Sequence, residues 1–175
     1  RIVKCAGKDY SQFRNAGLKA ANGDWILYID ADERITPLLR NEIEKKIKLE
    51  TASAYAIPRQ SIFLGKEMHY GGWSDDYVIR LFQKSKLKRW VHPLHEEPEY
   101  EGELGKLENK LVHISHRDLS SMLNKTLDFT TYESGLRFKT NHPPIAAWRI
   151  LRVMATEFWL RFIKLSAWRD GVEGI

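Results

Sequence analysis

The chain has 175 residues, 43% of them hydrophobic and 29% charged, with a formal net charge of +5. That is an ordinary globular composition, long enough for a domain with its own core. No uncharged apolar run approaches the roughly 18 residues of a plain transmembrane span, and one cysteine, Cys5, rules out an intrachain disulfide and suits a reducing compartment. The basic balance fits nucleic acid, anionic lipid or a phosphorylated substrate.

In chain order, residues 1–6 read as a short strand closed by Gly7. Asp9 or Ser11 caps a helix running to about Ala21, and Asn22-Gly23 stops it. Trp25 to Ile29 is a short apolar run, the pattern of a buried strand. Thr36-Pro37 opens a second helix with the apolar stripe Leu38, Leu39, Ile43 and Ile47. A strand over residues 52–59 extends through 61–64, with Pro58 marking an edge or a bend. Tyr77 to Phe82 and Lys88 to Val91 are further strands. Residues 92–105, polar and proline-containing, predict a long loop at the active site, followed by a strand over 106–114. Leu119 to Phe138 and Ile145 to Trp168 are long helices separated by a proline break at 141–144.

The run Asp30-Ala31-Asp32-Glu33 follows the tryptophan-led strand directly. Two carboxylates at the carboxyl end of a strand suit a hard cation such as Mg²⁺ or Mn²⁺, which takes oxygen ligands and bridges protein carboxylates to substrate phosphates. If the segment is extended, Asp30 and Asp32 point one way and Ala31 the other. The competing reading is an acidic surface turn. Glu33 fits an exposed or capping carboxylate better than a third ligand.

Arg14-Asn15 on the preceding helix, the Gly23-Asp24 turn, the apolar strand and Asp30-Ala31-Asp32-Glu33 together resemble the core of inverting family-two glycosyltransferases. Arg80-Leu81-Phe82, His95-Glu96 and Leu111-Val112-His113 recur in the matching order, most like the subgroup related to lipopolysaccharide-core glucosyltransferases. The resemblance implies an α/β fold of the GT-A type, a Rossmann-like mixed sheet flanked by helices, N-terminally truncated and followed by C-terminal amphipathic helices. It implies a partial catalytic domain over residues 1–142 and a membrane-associating segment over 143–175.

It further implies a nucleotide-diphosphate sugar donor and a glycolipid or cell-envelope polysaccharide acceptor. Asp32 would bind the metal, and Asp30 the ribose or the metal shell. Arg14 and Asn15 would face the donor. A late histidine, His113, would return to the metal or diphosphate, its alternative being a satisfied core residue. Glu96 would be the base; Glu97 and the pair Asp75 and Asp76 are its rivals. Trp73 is a sugar-stacking face or a core plug, Arg80 a pocket residue or half of a structural salt bridge, and His95 a sugar or acceptor contact. Zinc held by His92, His95, His113 and His116 is a weaker alternative without cysteine partners.

Residues 145–169 carry five Arg or Lys against one Glu, mixed with Trp, Leu, Ile and Phe. That pattern is too polar to cross a bilayer and fits an interfacial helix on an anionic membrane surface, placing the protein at the cytoplasmic face of the cell membrane. It argues against nucleic acid, whose partners set basic side chains along a polar groove with exposed aromatics. An inactive scaffold and a two-metal nuclease are the remaining readings; no second paired-acid strand supports the latter.

Overall fold

The computed structural model describes residues 2–6, 9–74, 76–93, 95–141, 143 and 146–174. The elements are α1 (Tyr10–Ala20), β1 (Trp25–Leu27), β2 (Glu33–Ile35), α2 (Pro37–Leu49), β3 (Ala54–Phe63), β4 (Lys66–Glu67), β5 (Tyr77–Gln83), β6 (Leu87–Val91), β7 (Glu97–Tyr100), β8 (Leu104–Lys106), β9 (Leu111–His116), α3 (Leu119–Lys139) and α4 (Ala147–Phe158). The chain forms two compact units, Arg1–Arg59 with Tyr77–Leu111 and Gln60–Asp76 with Val112–Ile175.

In the first unit, β5 lies between β1 and β3, antiparallel to both, and β8 runs parallel to β3. Successive strand residues point to opposite faces, and the core divides accordingly. Trp25, Leu27, Tyr55, Ile57 and Leu81 pack with Leu39 and Ile43 of α2. Ile26, Tyr28, Ala54 and Phe82 pack with Leu18 of α1 and with Leu87 and Trp90 of β6. The sheet is thus covered by a helix on each side, as a mixed α/β sheet requires. Asp9 caps α1 by accepting from the Gln12 N–H, and Thr36 caps α2 with Pro37 in the first turn. Gly105 lies opposite Tyr55 in the parallel pair; a Cβ there would stand 2.6 Å from the tyrosine ring, so only glycine lets the strands close.

One irregularity in this sheet matters for the site. Tyr55 pairs with Leu81 and Ala56 with Ile79, leaving Arg80 unopposed as the extra residue of a β-bulge. Ile79 and Phe82, three apart, therefore both reach the α1-side cluster. The bulge re-aims Arg80 away from the ladder's regular alternation.

Three expectations change here. Residues 2–6 form no strand and are exposed. Residues 92–105 are not one long loop: β7 pairs antiparallel with β6, Val91 opposite Glu97 and Arg89 opposite Glu99, and β8 follows. The prolines and acids hid a hairpin whose outer face is polar: Glu99 pairs with Arg89 at 2.7 Å and Glu101 with Lys88 at 2.7 Å. Pro58 is not on an edge strand; it stands opposite Tyr77 at the last rung of the β3–β5 ladder.

In the second unit, β3 turns into β4 through Leu64 and Gly65, both at positive φ (49° and 87°), as a two-residue hairpin demands. The loop after β4 is clasped by the C-terminal turn. Asp170, buried, accepts from the N–H groups of His69 at 3.0 Å and Tyr70 at 2.8 Å. Lys66 bonds the Asp170 carbonyl and pairs with Glu173 at 3.2 Å. The helix expected over 145–168 is shorter, and its first residue, Ile145, lies outside the described residues. α4 ends at Phe158, a π-turn spans Trp159–Lys164 with Leu165 N–H bonding the Leu160 carbonyl, and Ser166 at φ 55° breaks the helix. Among the described residues no helix is long and apolar enough to cross a membrane.

Candidate active site

Asp30 and Glu33 are bound to each other before either meets another element. The Glu33 N–H donates to the Asp30 carbonyl at 3.0 Å, and the Glu33 carboxylate accepts the Asp30 N–H at 2.9 Å. The two bonds close residues 30–33 into a tight turn. The extended geometry expected for Asp30 and Asp32 is therefore corrected: the segment turns between them, because Glu33 supplies a local carboxylate that pulls the chain back. Glu33 itself is corrected from an exposed acid to a buried one, its side chain 1% exposed.

Burying Glu33 is tolerable only because a cation meets it. Arg80, delivered by the bulge, donates from Nη2 to Glu33 Oε1 at 3.0 Å and pairs with Asp30. Arg14 of α1 donates from Nη2 to both Asp30 oxygens at 3.1 and 3.2 Å, and from Nε to Glu96 Oε1 at 2.7 Å. The result is an alternating chain of charge, Glu96–Arg14–Asp30–Arg80–Glu33, assembled from segments far apart in sequence. The Arg14 guanidinium rests on the Trp90 ring at 4.8 Å, with Tyr28 at 5.7 Å. Burial pulls the Arg14 pKa down, but the charges of Asp30 and Glu96 outweigh it and hold the guanidinium above its usual value.

Part of this chain of charge walls an open cavity of about 330 Å³ lined by Arg14, Asp30, Arg80, Trp90 and Glu96, together with Tyr77, Val78, Ile79 and Pro98. The volume suits a small-molecule site. Glu96 arrives from the β6–β7 connection, where His92 and His95 both hold positive φ (66° and 55°). Non-glycine residues in that region store backbone strain, which concentrates at functional sites.

The structure thus brings together Arg14, Asp30, Arg80 and Glu96. Asn15 spends its side chain on β6: Nδ2 donates to the Trp90 carbonyl and Oδ1 accepts the Trp90 N–H, each at 2.8 Å. Asp32 sits half-buried at the tip of the turn, and His95 is exposed. Glu97 is exposed on β7. Trp73 and His113 belong to the second unit, where Trp73 packs on Phe63 at 4.6 Å between ring centres and His113 is half-buried on β9. Asp76 is half-buried in the second unit as well; Asp75 lies outside the described residues.

The chemistry of the donors limits any cation here. Among the described residues no three His, Cys, Asp or Glu side chains converge as a cage, for zinc or another ion. Asp30 already accepts from two guanidinium groups. A hard cation needing only one or two protein carboxylates would have Asp32 and Asp30 as its candidates here.

Sequence reasoning missed Trp90 and Tyr28 as parts of this site and weighed Glu33 only as an exposed or capping carboxylate or a third ligand. Leu87 and Trp90 are the buried positions of β6, and a register shift between Leu87 and Arg89 lets both join the cluster that packs on α1. The burial of Glu33 depends on Arg80, 47 residues away.

A mixed α/β sheet with a helix on each side and an acidic turn at the carboxyl end of a strand is the architecture of a GT-A type domain. The sequence profile described as "Glycosyl transferase family 2" matches residues 1–127, and the chain belongs to that family. It is similar to a TPR repeat-containing protein of Synechococcus elongatus, 33% identical over 88 residues; the match covers 50% of this chain and 20% of that protein. The chain therefore spans only a fraction of that relative's length.

Proposed function

We propose that the protein transfers a hexose, with inversion and with the help of Mg²⁺ or Mn²⁺, from a nucleoside-diphosphate sugar to a glycolipid or envelope polysaccharide, an acceptor of the lipopolysaccharide-core type. The reaction would take place at the cytoplasmic face of an anionic membrane, residues 1–142 carrying the catalytic part and 143–175 associating with lipid. The observation that supports the reading best is the sharing of Arg14 between Asp30 and Glu96. It sets a donor-side carboxylate and a second carboxylate on one cavity, as a displacement at a sugar carbon needs.

Glu96 accepts the proton of the acceptor hydroxyl as that oxygen attacks the sugar C1 and the C1–O bond to the diphosphate breaks. Arg14 fixes Glu96 and Asp30, and Arg80 fixes the turn that presents Asp32. Two guanidinium groups face three carboxylates in this network, before Asp32 is added. A diphosphate entering such a pocket brings more negative charge than the protein balances. A divalent ion bound by Asp32 and Asp30 would supply the missing positive charge to the leaving group. Arg80 and His95 remain candidates for donor or sugar contacts, while Asn15 acts on the site through Trp90.

The test is thermal unfolding with UDP, GDP, CDP or TDP, each with Mn²⁺ and with EDTA. One of the four should raise the melting temperature only with metal, by an amount equivalent to about 2.7 kcal/mol at a hundred-fold excess over Kd. Asp32→Ala should abolish the effect, whereas Glu96→Gln should keep it and lose sugar transfer. Protection that is equal in Asp32→Ala, or full turnover by Glu96→Gln, would overturn the corresponding assignment.

A further inference from the structure

The second unit exposes an apolar stripe that the catalytic reading does not use. On α4, Leu151, Met154 and Phe158 recur at i, i+3 and i+7, one face of a helix, and are 68%, 63% and 57% exposed. None of the α4 residues is buried, so this face is left open by the described chain. The opposite side carries Arg149 and Arg152, which form no ion pair among the described residues; both guanidinium groups lie 5.6 Å from the Trp148 ring. Cations clustered on an amphiphilic indole at the border of an apolar face are the arrangement of a helix lying in a headgroup layer.

The π-turn extends this arrangement. Its i→i+5 bond admits one extra residue, which shifts the phase of the residues beyond it by about 100°. On an uninterrupted α-helix Lys164 would fall about 120° from Arg152; the extra residue brings it to within about 20°, onto the basic side. Phe162 meanwhile stacks on Phe158, ring centres 4.9 Å apart and planes at 16°, so the apolar face continues through the turn. Arg161, the cation left off this line, is neutralised by Glu157 at 3.0 Å.

We propose that α4 and its π-turn form an in-plane anchor for an anionic lipid surface. Leu151, Met154 and Phe158 enter the acyl boundary, while Arg149, Arg152 and Lys164 reach headgroup phosphates. Charge complementarity selects this occupant: a bare apolar face alone would suit a second copy equally, but cations on the helix's polar side that form no ion pair among the described residues call for anions. The proposal rests on the membrane association named above, gives it a defined face and does not depend on which sugar is transferred.

The experiment is co-sedimentation of the whole 175-residue chain with vesicles of phosphatidylcholine alone and of phosphatidylcholine mixed with phosphatidylglycerol. Binding should favour the anionic vesicles and weaken with salt. Leu151→Glu and Phe158→Glu, both at exposed positions, should each weaken it about ten-fold or more without lowering the melting temperature. Arg149→Gln with Arg152→Gln should weaken it about thirty-fold on anionic vesicles and leave binding to neutral ones unchanged. Failure of the parent chain to bind, or parental binding by both Glu variants, overturns the proposal. So does a concentration-dependent dimer broken by Leu151→Glu while vesicle binding persists, which would assign the face to a second copy. Nucleotide protection in the first unit is unaffected by any of these outcomes, so the anchor and the transferase reading fail separately.

Discussion

The Nε of Arg14 donates to Oε1 of Glu96 at 2.7 Å across 82 residues of sequence, while the same guanidinium grips both oxygens of Asp30. One planar group thus sets the spacing of two carboxylates on the cavity wall, and it is itself held flat by the Trp90 ring. Arginine is suited to this because its donors are fixed in a fork; a lysine ammonium is a point charge and cannot span both acids with the same geometry.

Arg14→Gln should therefore destabilise the fold by about 3 kcal/mol, since it leaves Asp30 and Glu96 facing each other without their shared cation. Arg14→Lys should recover only part of that loss. Chemical denaturation of both variants checks this. A lysine variant with the parental midpoint would mean that charge alone, not the fork, holds the two acids.

Glu33 and Arg80 predict a coupled pair. Glu33→Gln removes the buried charge opposite Arg80 and should cost about 3 kcal/mol, because the guanidinium, 8% exposed, keeps only the more open Asp30. Arg80→Met should cost a similar amount. The double variant should be less damaging than the two single losses together, by about 1–3 kcal/mol in a double-mutant cycle. Strict additivity would show that the two side chains do not depend on each other.

Acid sensitivity should be traceable to Glu42. Burial raises the pKa of this α2 carboxylate, but it accepts from the Asn109 and Glu108 N–H groups and from the Asn109 amide, and the net effect is a lowered pKa. A group depressed on folding contributes stability that is fully present above its unfolded pKa and is lost as pH falls through the folded value. Glu42→Gln should thus cost about 1 kcal/mol or less near neutrality, since solvent screens this partly exposed carboxylate. The gap from the parent should close as the pH drops below the ordinary glutamate range. Urea midpoints measured across that range would show a constant gap if the carboxylate charge were irrelevant.

Most of the elements are legible in the sequence because their causes are local. Asp9 and Thr36 cap their helices, Pro37 opens the first turn, and the apolar run in Tyr77–Gln83 marks a strand. The β6–β7 hairpin escaped notice because its outward residues are acids paired with Lys88 and Arg89, so the segment lacks an apolar signature. The break after Phe158 is equally silent, since a π-turn changes hydrogen bonding without changing composition. Arg14, Asp30 and Glu96 could be named from motifs, but their contact could not.

The chain's own order of residues determined an α/β transferase domain with an acidic turn at the end of a buried strand, because periodicity, caps and turn chemistry act over a few neighbours. The tertiary structure alone decided that Glu33 is buried, that a bulge hands Arg80 to it, and that Arg14 joins Asp30 to Glu96. Those outcomes depend on desolvation and on charges brought together from distant segments. Neither has a value until the sheet, α1 and the hairpin have closed around the cavity.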